Sequence, residues 1–526
     1  MVKVALIGLD GADRDWLEPA LVMGLMPNLN SRFGGSIHPC RSTIPPVSAT
    51  AWLAITTGGG PGRLGIVDFF CHDVRKHRIQ VHPITSDDVC LPFVWEQATD
   101  AGLSSLIINL PLTYPAHPLK GTMIAGFPSK LSRNSVFPPE LFDRLTGWQV
   151  DICKSSFADD KELGEYCAQL SKLEKHHAGI AAKLLGEADY DLFMINLTLP
   201  DRLGHVAAPH LQELSRGVVH PHIRAALSGL DNACAELFAA LGDASIVLVS
   251  DHGMGRMAER LFCPDRWLVC EGYLTLAGGG FNPKTWLVAM GLTRERWERI
   301  RGGKKSSDNT MTTRSHPLPV DWRRSRAFTI PLYGRYFGVF LNRKKLMEHG
   351  IVEGGKEAGE LCEELTMKLQ SVEADGMMPV ERVWRREELW SGPFLPLLPD
   401  LVVELASGWG YDGARGPGNP VKPATDTRTG DHDIMGIVSF SGSNFVEPPA
   451  GFKSEITDIA PTLLYLLGLP LAPLDGKLLT EVLNPSLLAQ SPPRAKEIEF
   501  RKPTTIGKND QVGEIVNQLK GLGYLS

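Results

Sequence analysis

Three short apolar runs, each rich in β-branched residues and each followed closely by an aspartate, most constrain how this chain folds. VKVALIGL leads into Asp10, YDLFMINLTLP into Asp201, and SIVLVS into Asp251. Runs of this kind, bounded by turn residues, read as buried parallel strands. Side chains placed just outside the carboxyl ends of such strands converge on one crevice of an open α/β sheet. Two histidines accompany these aspartates, His205 in PDRLGH and His252 in SDHGM. A third, His432 in GDHDIMG, precedes the strand-like run IMGIVSFSG.

Each piece has an ordinary structural explanation when taken alone. Asp10, before Gly11 and Ala12, could cap a helix by accepting free backbone N–H groups. Asp201 and His205 have the i, i+4 spacing that places both on one helical face, as in any solvated polar stripe. The adjacent pair Asp251-His252 is less ordinary, because neighbouring side chains on a strand point apart unless the chain turns. Their joint occurrence carries the reading. Carboxylate and imidazole donors suit divalent cations, and a pair of such cations suits phosphoryl transfer.

A nucleophile for that chemistry is sought in STIPPVSATAWLAITTGGGPGRLGI, which reads as a Pro-rich turn, a helix from about Ala49 to Thr57 and a glycine-rich stop. A hydroxyl at the helix start can sit on a metal, while the positive helix end favours phosphate oxygens. Ser48 occupies that position; Ser42, Thr43 and Thr50 compete with it, and plain N-capping is the structural alternative for Ser48. Spacing alone does not choose among them.

These strings carry a family resemblance over nearly the whole chain. ALIGLDGAD, STIPPVSATAW, ITTGGGPGRLGIVDF, LPDRLGH, VSDHGM, GVFLNR, LPDLVVE, GDHDIMGIV and SEITDIAPTLLYLLGLP resemble, in order and spacing, the type I phosphodiesterase/nucleotide pyrophosphatase branch of the alkaline phosphatase superfamily, especially its prokaryotic members. The resemblance implies a three-layer α/β/α sandwich with a mostly parallel central sheet and an inserted cap. It implies one metal held by Asp10, Ser48, Asp251 and His252, with Ser48 as nucleophile, and a second held by Asp201, His205 and His432. It further implies two displacements through a covalent phospho-Ser48 intermediate, water completing the second. Ligation by carboxylate and imidazole without thiolate suits zinc and is also compatible with manganese or iron.

The chain departs from the eukaryotic-type pattern after Ser48. Leu64 stands in place of an expected His, and Phe69 stands where an Asn would bond the substrate phosphate. An apolar Phe69 favours esters other than nucleotides. Two alternatives use the same residues differently. A mutase or phosphotransferase would replace water by an acceptor hydroxyl inside an enclosing cap, and a non-catalytic binding protein would keep the fold alone. A sulfatase is excluded, since SATAW lacks the Cys/Ser-x-Pro-x-Arg string.

Length and composition fit a large enzyme acting on a small phosphate ester. The 526 residues, 43% hydrophobic, suffice for one large core and an insertion. The core is expected over residues 1–254 and again over 429–484, because His432 must join ligands that all lie before residue 253. Residues 255–428 then form the cap, and 485–526 a C-terminal tail whose amphipathic end could dock on its own or a neighbouring subunit. A net charge of −6 gives no general reason to expect nucleic acid or an anionic membrane. Nine scattered cysteines without a CxxC pair argue for free thiols. The first strand begins at once, and no apolar run approaches the roughly 20 residues of a membrane span, so the expected compartment is the cytoplasm. Within the cap, Arg294–Arg326 has ten Lys/Arg against four Asp/Glu; it reads either as a solvated face or as a lid that recruits anions. Trp297, Trp322 and Tyr333 read as packing residues.

Overall fold

The three apolar runs become adjacent strands in strict register. In a computed structural model describing residues 2–277, 319–374, 376–416, 418–497, 500–501 and 512–521, Val4–Leu9 lies between Leu192–Leu197 and Ser245–Val249, parallel to both. Gly8 pairs with Asn196 on one side and Val249 on the other. All three strands are buried along their whole length, which is why they read as continuous apolar runs rather than alternating ones. Because they end at one level, the residues that follow them start from a common edge.

These strands sit at the centre of a nine-stranded sheet with an alkaline-phosphatase-like mixed α/β fold. Beyond Leu192–Leu197 come Ser105–Ile108 and Gly121–Ile124, both parallel, and then Val136–Phe137, antiparallel. Beyond Ser245–Val249 come Met435–Ser441, antiparallel, then His38–Arg41 and Ser454–Glu455. The late strand Met435–Ser441 therefore brings the chain back beside Ser245–Val249 from about 190 residues away in sequence. The apolar string ITDIAPTLLYLLGLP forms a buried helix over Ile459–Leu466 that stops before Gly468, whose φ is 74°.

A second hydrophobic core lies around a four-stranded antiparallel sheet of Ala327–Pro331, Tyr336–Leu341, Leu401–Leu405 and Val380–Arg385, with the helix Lys356–Gln370 packed against it. Residues 294–318 of the basic segment, Trp297 among them, lie outside the described residues. Trp322 stacks on His77 with ring centroids 4.0 Å apart, as a packing residue should. At the C-terminal end, Val512–Gly521 is a helix whose Ile515 and Leu519 are buried against the main core, and Gln518 Nε2 donates to the Ser129 carbonyl at 2.8 Å. All nine cysteines carry free thiols. No helix among the described residues is long and apolar enough to cross a membrane.

Two buried carboxyls cap helices from a distance. The helix Pro27–Phe33 lacks a side-chain cap of its own, and Asp231, on the helix Pro221–Leu241, accepts from Asn28 N (3.1 Å), Asn28 Nδ2 (2.7 Å) and Leu29 N (2.8 Å). Helix starts leave such donors without partners. Glu174, fully buried in the long helix Asp160–Glu187, does the same for Leu199–Glu213 by accepting from Leu199 N at 2.7 Å. Burial pushes the Glu174 carboxyl up to about 8. His177 Nε2 lies 2.7 Å from the Gln149 carbonyl, so it carries the proton, and its bare Nδ1 lies 3.9 Å from Glu174 Oε2. A protonated Glu174 thus has an acceptor to face.

Replacing Asp231 with alanine strands three donors and lowers unfolding free energy by about 2 kcal/mol, measured as a fall in the urea midpoint. A carboxyl with a raised pKa stabilises the fold most below its unfolded value of 4.5, and that stabilisation is lost as pH rises towards about 8, at no more than about 1.4 kcal/mol per pH unit. Glu174→Gln accepts the same Leu199 N–H and cannot ionise, so the variant gains on the wild type as pH rises from 5 to 8 in paired urea titrations.

Candidate active site

The shared strand edge delivers the aspartates to one place. Asp10 follows its strand directly, with its N–H donating to the Leu197 carbonyl at 3.0 Å. Asp201 lies in the first turn of Leu199–Glu213, so His205 follows it on the same face. Asp251 and His252 follow Ser245–Val249, where the chain turns into the strand Gly253–Arg256. That strand pairs antiparallel with Gly430–Asp433, Met254 opposite His432, so His432 arrives on a two-stranded ribbon rather than from a central strand end. One donor atom from each of Asp10, Asp251 and His252 lies within 4.8 Å of the others, and the same holds for Asp201, His205 and His432. All six side chains are buried.

Each of the six commits one polar atom to a support in the protein and turns another towards the site. Asp10 Oδ2 accepts from Trp52 Nε1 (3.1 Å) and Asn196 Nδ2 (2.7 Å); Asp251 Oδ1 accepts from Gly11 N (3.2 Å); Asp201 Oδ2 accepts from Arg202 Nη1. The buried Oδ2 of Asp251 and Oδ1 of Asp201 have no hydrogen-bond partner. The imidazoles follow the same rule. Nδ1 of His252, His205 and His432 lies 2.9, 3.1 and 2.9 Å from the carbonyls of Gly253, Gly430 and Pro46. A carbonyl only accepts, so each Nδ1 donates its proton to one and the ring turns its Nε2 towards the site, the arrangement that orients metal-binding histidines. His432 Nε2 and His205 Nε2 stand 3.2 Å apart, with Asp201 Oδ1 3.4 and 3.3 Å from them. Buried carboxylate and imidazole atoms crowded into one space fit divalent cations.

Electrostatics point the same way. Burial pushes the Asp10 carboxyl well above its ordinary value, and Asp251 and Asp201 add to the push. Asp251 is raised by burial and by Asp201, against the pull of His252. At Asp201 burial pushes up too, yet His205 and then Arg202 outweigh it and hold the carboxyl well below the usual range. Burial, aided by His252, keeps His432 neutral. The site is therefore a concentration of negative charge short of compensating cations.

Ser48 begins the helix Ser48–Thr57 after Val47, which takes the capping position, so Ser48 does not serve as an N-cap. Its Oγ lies 3.2 Å from His252 Nε2. The competing hydroxyls bond elsewhere: Ser42 Oγ donates to the Asp251 carbonyl, and Thr50 Oγ1 lies against the Pro45 and Val47 carbonyls and the Thr43 hydroxyl. Trp52, four residues on from Ser48 and so on the same helix face, sends its indole to Asp10. Gly8 makes room for it, since a Cβ there would stand 2.3 Å from Trp52 Cη2. Gly11 has φ 66° and a Cβ on it would stand 2.8 Å from Asp201 Cα, so only glycine brings this N–H to Asp251.

Several neighbours escape sequence reading. Asn196 and Arg202 flank the aspartates within recognised strings, and that adjacency is the signal that could have found them. Tyr333, expected as a packing residue, does pack, but on the site: its ring centroid lies 4.5 Å from that of His432, and its hydroxyl accepts from Arg428 Nη1 at 3.3 Å. Its φ of 75° is unusual for a bulky residue and is a strain that packing must hold. Phe69 is fully buried with its ring edge-to-face on Phe127 at 5.5 Å.

Comparison with known proteins gives this geometry its context. No curated protein matches the chain. A phosphonoacetate hydrolase from Sinorhizobium meliloti, solved with phosphonoacetate, aligns with a TM-score of 0.50 at 16% identity over 89% of this chain and 95% of its own. The murine ectonucleotide pyrophosphatase/phosphodiesterase 5, in an inactive form with AMP, aligns with a TM-score of 0.48 at 14% identity over 91% of this chain and 98% of its own. At these identities the likeness speaks for the fold alone. The family model for type I phosphodiesterase/nucleotide pyrophosphatase matches residues 4–434, and the chain therefore belongs to that family of phosphoester hydrolases.

Proposed function

We propose that this chain hydrolyses phosphate esters with Ser48 as nucleophile and two divalent cations, zinc by preference. Asp10, Ser48, Asp251 and His252 would hold one cation, and Asp201, His205 and His432 the other. The observation that carries this reading is the convergence of the six carboxylate and imidazole side chains, each fixed by the protein at one atom and turning another towards a shared buried space. Carboxylate and imidazole donors without thiolate suit zinc. Cations bound there would lower the pKa of the Ser48 hydroxyl and offset charge on the phosphate oxygens.

The remaining steps belong to the chain. The first turn of Ser48–Thr57 directs backbone N–H groups and a positive dipole end towards a bound phosphate. Ser48 Oγ attacks phosphorus in line: the Oγ–P bond forms as the bond from phosphorus to the leaving alcohol oxygen breaks, giving phospho-Ser48. Water then attacks from the vacated side, the Oγ–P bond breaks, and free phosphate or a monoester departs with the Ser48 hydroxyl restored. Residues 255–428 would act as a cap, a role supported by Tyr333 reaching over His432 and by Trp390 Nε1 donating to the Ile44 carbonyl at 3.1 Å. Phe69 stands in the sequence where an Asn that bonds the substrate phosphate would be expected, and this lost donor favours non-nucleotide esters as substrates. Nine free thiols suit the reducing cytoplasm.

Zinc-loaded protein should hydrolyse bis(p-nitrophenyl) phosphate or p-nitrophenyl phosphate, with the rate ratio assigning diester or monoester preference. A chelator should abolish turnover, and Ser48→Ala should lower kcat at least about 100-fold; turnover that survives in Ser48→Ala removes Ser48 from its role. Simple aryl or lipid-like esters should outpace dinucleoside polyphosphates; the reverse order contradicts the role given to Phe69.

A further inference from the structure

Asp201 stands apart from the other two site carboxylates in how it is held. Asp10 and Asp251 are fixed by neutral donors, the indole of Trp52, the amide of Asn196 and the backbone of Gly11. Asp201 is fixed by a cation, the guanidinium of the residue that follows it. Arg202 is itself buried, its side chain 4% exposed, and its Nε and Nη2 both donate to Asp151 Oδ2, at 2.9 and 2.5 Å. Asp151 is anchored in turn, its Oδ1 accepting from Ile152 N at 2.8 Å and facing the Thr198 hydroxyl at 3.3 Å. The Phe127 ring covers the guanidinium at 5.5 Å.

The charges explain the arrangement. A lone arginine beside Asp201 would cancel the negative charge that the site offers to a cation. With Asp151 present, Arg202 is neutralised from behind, and the three groups together keep one net negative charge facing the site. Orientation matters as much, because a carboxylate turns easily about its last bond and this one occupies a corner. Asp201 Oδ1 lies 3.3 Å from His205 Nε2, 3.4 Å from His432 Nε2 and 3.9 Å from His252 Nε2. A planar fork, itself locked by a second carboxylate, holds the oxygen there.

Resting on the two-cation reading above, we propose that Arg202, locked by Asp151, is a positioning residue that sets the cation affinity of the Asp201, His205 and His432 group. It acts through Asp201 and touches no reacting atom. A purely structural ion pair, tying the segment around Asp151 to the helix Leu199–Glu213, would alter stability without favouring one cation site over the other.

Zinc titration by calorimetry, with metal content measured after gel filtration, tests this on the wild type, Arg202→Met, Arg202→Lys and Asp151→Asn. The wild type should bind two zinc ions. In Arg202→Met and Asp151→Asn, the Kd of one site should rise about 10- to 100-fold while the other stays within about threefold. The weakened site should be the one that His432→Ala removes. Arg202→Lys should recover part of the affinity, because an ammonium keeps the charge without the fork. If Arg202→Met does not fold, Asp151→Asn and Arg202→Lys carry the decision. Two sites of wild-type affinity in these folded variants, or equal weakening of both, overturn the inference. A wild type that binds fewer than two zinc ions overturns the two-cation reading itself, and the inference with it.

Discussion

Three carboxylates brought together at the end of a parallel sheet, out of reach of water, repel one another, and much of the surrounding structure answers that repulsion. Desolvating an ionised carboxylate is costly unless something pairs with it. Here Asp10 and Asp251 are driven upward in pKa, while Asp201 is held down by His205 and Arg202. The arrangement is strained as a purely structural core and reasonable as a receptacle for positive charge. Perturbed groups in one cluster are a mark of functional sites, and this cluster combines them with three imidazoles whose Nε2 atoms point inward.

The precision of the site comes from rigid elements rather than from the ligands themselves. The sheet register sets the level at which Asp10, Asp201 and Asp251 leave their strands. Glu174 fixes the start of the helix that carries Asp201 and His205. Trp52 ties the helix of Ser48 to Asp10 through the gap left by Gly8. Supporting contacts of this kind hold first contacts to the tolerance that chemistry needs. Tyr333 extends the scaffold to the second core, bringing a strained residue of the turn between Ala327–Pro331 and Tyr336–Leu341 against His432.

The legible parts of the sequence were those where one local pattern allows one reading. VKVALIGL, YDLFMINLTLP and SIVLVS are buried on both faces, so their composition declares parallel strands, and the residues after them declare the crevice. Ser48 was legible as a helix start but not as the selected hydroxyl, because Ser42, Thr43 and Thr50 differ from it only in what they bond in three dimensions. Tyr333 carries no local signature and meets His432 only across a long reversal of the chain, and the contact between Arg428 and the Tyr333 hydroxyl spans 95 residues.

By itself, the sequence determined the sheet-forming runs and the six carboxylate and imidazole candidates with their order, since these follow from burial, turn chemistry and helical spacing over a few positions. Only the tertiary structure decided which atom of four of these side chains faces the site. That choice rests on partners far away in the chain: Asn196 for Asp10, Gly11 for Asp251, Pro46 for His432 and Gly430 for His205. A hydrogen bond acts over about 3 Å, and the distances that matter to it are set by packing rather than by position in the sequence.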